Sequence, residues 1–271
     1  IAEKENTLVI SGESQGKKEK IVNIAEHNKH DLSPILTHLY RKGYEKITIN
    51  NVEPANLKEI KHITSKLLLG FELTKSEGKS CIIENISEPS EDKFGVMMEK
   101  IFFLIKETIG LLKEDISDNK FDNFEEIKEI RHNLDKTIYF CRRTIMKETY
   151  AQNPVLSWEL LTFLMHIHHT SYYLYEYLST KKLKNHKEAH KLVEELIEYF
   201  KLYEKSYKEN DVHAIHKINA LKREIHLGKL IKMIEKAKGP DVVALGYFKE
   251  IFRLIQIGTS PILVNLLDKN D

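Results

Sequence analysis

The sequence predicts a mainly α protein. A small N-terminal α/β domain, residues 1–92, precedes two tandem antiparallel three-helix bundles, 93–180 and 181–271. Three observations predict this. Glycine and proline number only 11 and 6 in 271 residues, which favours long helices. Short β-type runs punctuated by turn glycines are confined to the first third of the chain. Beyond residue 93, apolar residues recur at alternating steps of three and four, the period of a helix face.

In the first region, β-type runs lie at 7–10, 20–24, 46–50, 71–75 and 80–86. Gly12, Gly16, Gly43, Gly70 and Gly78 stand between or beside them. Two helices are expected, at about 31–42 and at about 54–69, the second opened by Pro54. The order reads β-β-α-β-α-β-β, and 87–92 reads as a linker. The second region divides into six helices at breaks near 117–120, 152–154, 180–185, 209–210 and 239–240. Phe94, Met97, Ile101, Leu104, Thr108 and Leu112 mark one apolar stripe. Phe124, Ile127, Ile130, Leu134, Ile138, Cys141 and Ile145 mark another. The last two helices are expected at about 211–237 and about 241–268, each in one piece. Short connections make neighbouring helices antiparallel.

Charge nearly cancels. Lys plus Arg is 42, Asp plus Glu is 41, and the formal net charge is +1. This argues against a protein that grips nucleic acid through a broad basic face. Two cysteines, Cys81 and Cys141, exclude a disulfide framework and form no metal-type pair, so a reduced intracellular compartment is expected. No uninterrupted apolar run approaches the ~20 residues of a membrane span. The chain starts at Ile1 and is expected to be a fragment or a processed form.

Catalytic grammar is not found. Gly12-x-x-x-Gly16-Lys17-Lys18 lacks the spacing and the Ser/Thr of a phosphate loop. There is no G-x-S-x-G elbow. Cys141 falls in a buried stripe, a core position rather than a nucleophile's. Thirteen histidines include His166, His168 and His169, of which only His166 and His169 share a helix face. His186 with His190, and His213 with His216, also fall at helical spacing. None of these pairs comes with the further ligands a metal site needs. Tyr172, Tyr173, Tyr175 and Tyr177 surround one helix, with Trp158 near its start. Lys181, Lys182, Lys184, Lys187 and Lys191 form a basic run, read as a solvated loop and helix face.

The six helices carry an internal repeat. Phe124-x-x-Ile127-x-x-Ile130-Arg131-x-x-Leu134-Asp135 aligns with Ile215-x-x-Ile218-x-x-Leu221-Lys222-x-x-Ile225-His226. The stripe Leu164, Ile167, Ser171, Leu174 and Leu178 runs parallel to Leu245, Phe248, Phe252, Ile255, Thr259 and Ile262. Tandem three-helix bundles of this kind resemble PhoU, the phosphate-uptake regulator family. In the small domain, the stretch from Tyr40 through Gly43-Tyr44 to Ile47 and Ile49 resembles the Y-x-x-G-Y-x-x-I-x-I run of archaeal PhoU-like regulators. Leu69-Gly70-Phe71-Glu72-Leu73, followed by Ser80-Cys81-Ile82-Ile83, resembles their next turn and strand.

The resemblance implies a non-enzymatic, cytoplasmic regulator of phosphate uptake and phosphate signalling, working as a homodimer with a phosphate transporter or sensor component. In such proteins an AbrB-type DNA-binding hairpin comes first. Residues 1–24 would then hold only its remnant, and DNA would be met through a domain upstream of this chain.

The family's acidic metal-binding motifs correspond here to Arg131 and Asp135, Tyr172 and Glu176, Lys222 and His226, and Arg253 and Ile257. Only two of the eight are acidic and three are cationic. A cationic cluster repels a metal ion, so no metal or other cofactor is expected and an anion becomes the candidate ligand. Two other readings stay open at this point: a metal-binding protein using its histidines, and an interaction scaffold reusing the PhoU shape.

Overall fold

A computed structural model describes residues 2–4, 7–9, 18–24, 31–87, 90–147, 150 and 152–268. The glycine-lysine stretch 12–17 lies outside them. The chain is mostly helical with a small sheet near its N-terminus. It divides into two compact units, Ile1–Pro89 and Ser90–Asp271.

In the first unit, strands β1 (Ala2–Lys4) and β2 (Thr7–Val9) form an antiparallel pair. β3 (Glu19–Asn23), β4 (Lys46–Asn50), β5 (Phe71–Glu77) and β6 (Ser80–Asn85) form a separate sheet in the order β3-β4-β6-β5. β3 runs parallel to β4, and the other pairings are antiparallel. The segment 19–24, expected in the hairpin remnant, is therefore part of the α/β sheet, because its backbone pairs with β4. β1 was not expected. Its three residues are too short for alternation to register.

Helix α1 (Leu32–Arg41) connects the parallel strands, and α2 (Pro54–Leu67) follows β4. Both bury apolar residues with the sheet's alternate positions Ile47, Ile49, Cys81 and Ile83. Tyr40 is fully buried. Its ring meets Phe71 edge-on at 5.1 Å, and its hydroxyl donates to the Leu69 carbonyl at 2.9 Å. The Y-x-x-G-Y stretch thus closes the small core.

The second unit holds α3 (Phe94–Asp118), α4 (Phe124–Ile145), α5 (Pro154–Thr180) and α6 (His186–Lys208). α7 (Val212–Glu224), α8 (Leu230–Lys236), α9 (Pro240–Ile257) and α10 (Thr259–Leu267) complete it. The starts follow capping chemistry. Asn153 accepts from the Val155 and Leu156 amides ahead of Pro154, and Asp211 accepts from those of His213 and Ala214.

Cross-helix contacts fix the directions. Lys106 meets Glu204 at 2.8 Å, Lys113 meets Glu194 at 3.1 Å, and Lys208 pairs with Glu99, so α3 and α6 are antiparallel. Arg131 meets Tyr173, Asp135 meets His169 and Arg142 meets Thr162, so α4 and α5 are antiparallel. α3 carries a broader buried surface than one stripe. Phe102, Ile105 and Ile109 are buried as well as Ile101, Leu104, Thr108 and Leu112, because the helix packs on α6 in addition to α4 and α5.

Two expected helices differ in detail. The 211–237 helix widens into a π-helical turn at Ile225–Lys229 between α7 and α8. In a regular helix residues five apart lie about 140° apart, whereas the wide turn buries both Ile225 and Leu230. The 241–268 helix turns at Gly258, which divides α9 from α10. Taken through that turn, Pro240–Leu267 is long and apolar enough to cross a membrane by length and composition; an 18-residue window within it has mean hydropathy 1.2 and is half buried. Counting only uninterrupted apolar runs missed this segment. Its apolar residues are spread over a core face rather than collected in one run.

Candidate functional site

The eight positions named from the PhoU resemblance lie on α4 (Arg131, Asp135), α5 (Tyr172, Glu176), α7 and the π turn after it (Lys222, His226) and α9 (Arg253, Ile257), with Glu176 and Arg253 exposed. On α4, Arg131 lies over two rings of α5. Its guanidinium carbon is 4.4 Å from the Tyr172 ring centre and 5.1 Å from that of Tyr173, and it donates to the Tyr173 hydroxyl at 3.2 Å. A guanidinium held over aromatic faces keeps its charge while shedding part of its hydration. One turn on, Asp135 is buried and its carboxylate lies 2.7 Å from His169 Nε2. Tyr172 is buried, and burial raises its hydroxyl pKa. Its contact with Glu176 is long, 3.4 Å, and Glu176 is exposed.

On α9, Arg253 forms a bidentate pair with Glu250, at 2.8 and 2.7 Å. That hydrogen bonding holds the Glu250 carboxyl below its ordinary range. Glu250 is an acid that the repeat alignment passes over. It lies one turn before Arg253 on the same face, outside the aligned spacing. On the π turn, His226 carries a buried Nδ1 with no hydrogen-bond partner among the described residues. Burial lowers its pKa, and the charges of Lys249, Lys222 and Arg253 lower it further. Three cations therefore surround His226, with Glu250 as the opposing charge. Ile257 is half-buried and contributes no charge.

The histidine triplet does not converge. His166 is exposed, and burial of its inner edge lowers its pKa, aided by His169 and Arg142. His169 is taken by Asp135. His168 is fully buried and faces α3, where its Nε2 lies 3.0 Å from Thr108 Oγ1. Thr108 donates to the Leu104 carbonyl at 3.1 Å, so its oxygen accepts from His168 Nε2–H. Nδ1 is then a buried lone pair with no partner among the described residues. Among those residues no three His, Cys, Asp or Glu side chains come together as metal ligands.

Burial, with the charges of His169 and Arg131, pushes the His168 pKa down from 6.5 to about 3. The unfolded chain binds that proton below pH 6.5 and the folded chain does not, so stability is lost as pH falls from 6.5 toward 3. Between pH 7 and 5 the loss from this residue is about 2 kcal/mol. A His168→Met variant should show a flatter pH dependence of its urea midpoint over that range. An unchanged slope would show that His168 is not the group responsible.

The tyrosine patch separates by depth. Tyr175 is buried, donates to Asp115 and accepts from the Asn123 amide at 2.9 Å. Tyr173 is exposed, and the Tyr177 ring lies 6.3 Å from Tyr247. Trp158 supports the Arg142 guanidinium at 4.9 Å. Arg142 and Arg143 are both buried, which the sequence pattern did not indicate. Cys141 is fully buried and its thiol pKa is raised by desolvation, unsuited to nucleophilic work. Cys81 is likewise buried, its thiol pushed up to about 11. No family, curated protein or solved structure matches the chain.

Proposed function

We propose that the protein is a PhoU-like, non-enzymatic regulator built from two three-helix repeats, α3–α5 and α6–α10. The observation that carries this reading is the pairing of equivalent helices. α3 lies antiparallel to α6, and α4 faces α5 as α7 faces α9. Arg131 and Asp135 face α5, and their aligned counterparts Lys222 and His226 lie at the end of α7 and on the π turn.

On this reading the chain acts in control of phosphate uptake, in the cytoplasm and as a homodimer, through a transporter or sensor component. Contact with DNA, where it occurs, would be made through a separate AbrB-type part. The regulated ligand is an anion. Lys222, Lys249 and Arg253 outnumber Glu250 around His226, and a bound anion would offset their repulsion.

Titration with inorganic phosphate tests this. Phosphate is expected to bind the intact protein and to raise its melting temperature by mass action. Lys222→Ala with Arg253→Ala should weaken binding about tenfold, the loss of one or two charge-assisted hydrogen bonds. Absence of any phosphate-dependent shift at millimolar concentration would sink the anion reading. Affinity capture from cells that repeatedly recovers no transport or transcription component would sink the regulatory one. The histidine metal reading is favoured by no specific arrangement of the described side chains.

A further inference from the structure

A second concavity lies in the helical unit, away from the residues just described. It is bounded by α6, the π turn with α8, and α9, and has a volume of about 560 Å³. Its floor is apolar, including Met233, Leu245 and Phe248. Its rim carries Lys191, Lys229, Lys232 and Lys236. Lys229 is engaged by Glu195, whereas no ion pair among the described residues involves Lys191, Lys232 or Lys236.

The acids match only part of this rim: Glu195 pairs with Lys229, and the Glu194 carboxylate acts on Lys191, leaving Lys232 and Lys236. Asp241 accepts from the Lys184 and Asn185 amides at 2.9 and 3.2 Å, so its carboxylate is committed to holding the loop before α6. Glu188 is the other acid lining the cavity. The π turn positions the rim: Lys229 closes that turn, and Lys232 and Lys236 follow on α8, one turn apart on the same face.

We propose that this cavity binds a small amphiphilic anion, a single apolar chain or ring system bearing a carboxylate-like head. Three features select that class. The volume lies in the range of small-molecule sites, roughly 300–1,000 Å³. The greasy floor rewards burial of an apolar body, and the unpaired ammonium groups sit at its mouth, where a charged head stays partly hydrated. This inference stands apart from the phosphate reading and uses none of its residues.

Laurate, held below its micelle concentration, is the probe, with dodecanol and acetate as its separated parts. Calorimetry on the full chain should find one equivalent of laurate bound, more tightly than dodecanol, and no acetate binding in the same range. Lys232→Ala with Lys236→Ala should weaken laurate about tenfold and leave dodecanol unchanged, because only the head loses its partners. Both lysines are exposed, so the melting temperature should not move. The proposal is overturned by no laurate binding, by equal affinity for dodecanol, by a double variant that binds laurate like the parent, or by association only with anionic phosphatidylglycerol vesicles.

Discussion

Truncating Phe102 to alanine is expected to destabilise the helical unit by about 3–5 kcal/mol. Phe102 is fully buried on α3. Its ring stacks on Tyr207 at 5.3 Å and lies 5.9 Å from Phe200 and 6.1 Å from Tyr203, all on α6. Removing it leaves a cavity lined by rings that are themselves held by other contacts, so collapse into the void is limited. The melting temperature should fall by about 10 °C or more. Phe103, its neighbour in sequence, is 57% exposed, and its truncation should cost under about 0.5 kcal/mol. Urea unfolding followed by circular dichroism compares the two. Equal losses would mean that the α3–α6 seam is not the core.

Placing valine at Gly258 should cost about 3 kcal/mol. A Cβ there would stand 2.8 Å from the Tyr203 hydroxyl, 2.9 Å from the Leu254 carbonyl oxygen and 3.1 Å from Phe163 Cβ. Leu254 oxygen is backbone and cannot step aside. Tyr203 is buried, and its hydroxyl donates to the Gly258 carbonyl at 3.1 Å, so its retreat also breaks a buried hydrogen bond. Gly246 provides the opposite case on the same helix. Nothing lies within 4 Å of a Cβ built there, and Gly246→Ala should stabilise by about 0.5–1 kcal/mol. Melting curves of both variants decide the matter. A Gly258→Val protein as stable as its parent would show that the α9–α10 turn tolerates a side chain.

Some of this was legible in the sequence. Of the stripe expected on α4, Ile127, Ile130, Leu134, Ile138, Cys141 and Ile145 are buried, whereas Phe124 at its start is half-buried. The α5 residues Leu164, Ile167, Ser171, Leu174 and Leu178 are all buried. A stripe names residues that are buried but understates how much of each helix is: Phe102, Ile105 and Ile109 on α3 and Phe140, Arg142 and Arg143 on α4 are buried as well, through partners distant in sequence. Arg131 and Arg253 were visible as cations, whereas the rings under Arg131 and the carboxylate gripping Arg253 were not. The lysine-rimmed cavity gave no signal, because its floor and rim come from three helices.

By itself the sequence determined the helical period, the small α/β unit near the N-terminus, and where most helices start and stop. These follow from local chemistry: apolar spacing, caps such as Asn153 and Asp211, and the scarcity of glycine and proline. Tertiary structure alone decided the wide turn at Ile225–Lys229, the division at Gly258, the depth of His168 and the matching of charges around Asp135 and Glu250. The reason is physical. Backbone preference acts within a few residues, whereas desolvation, ring stacking and steric exclusion depend on partners that only folding brings within a few ångströms.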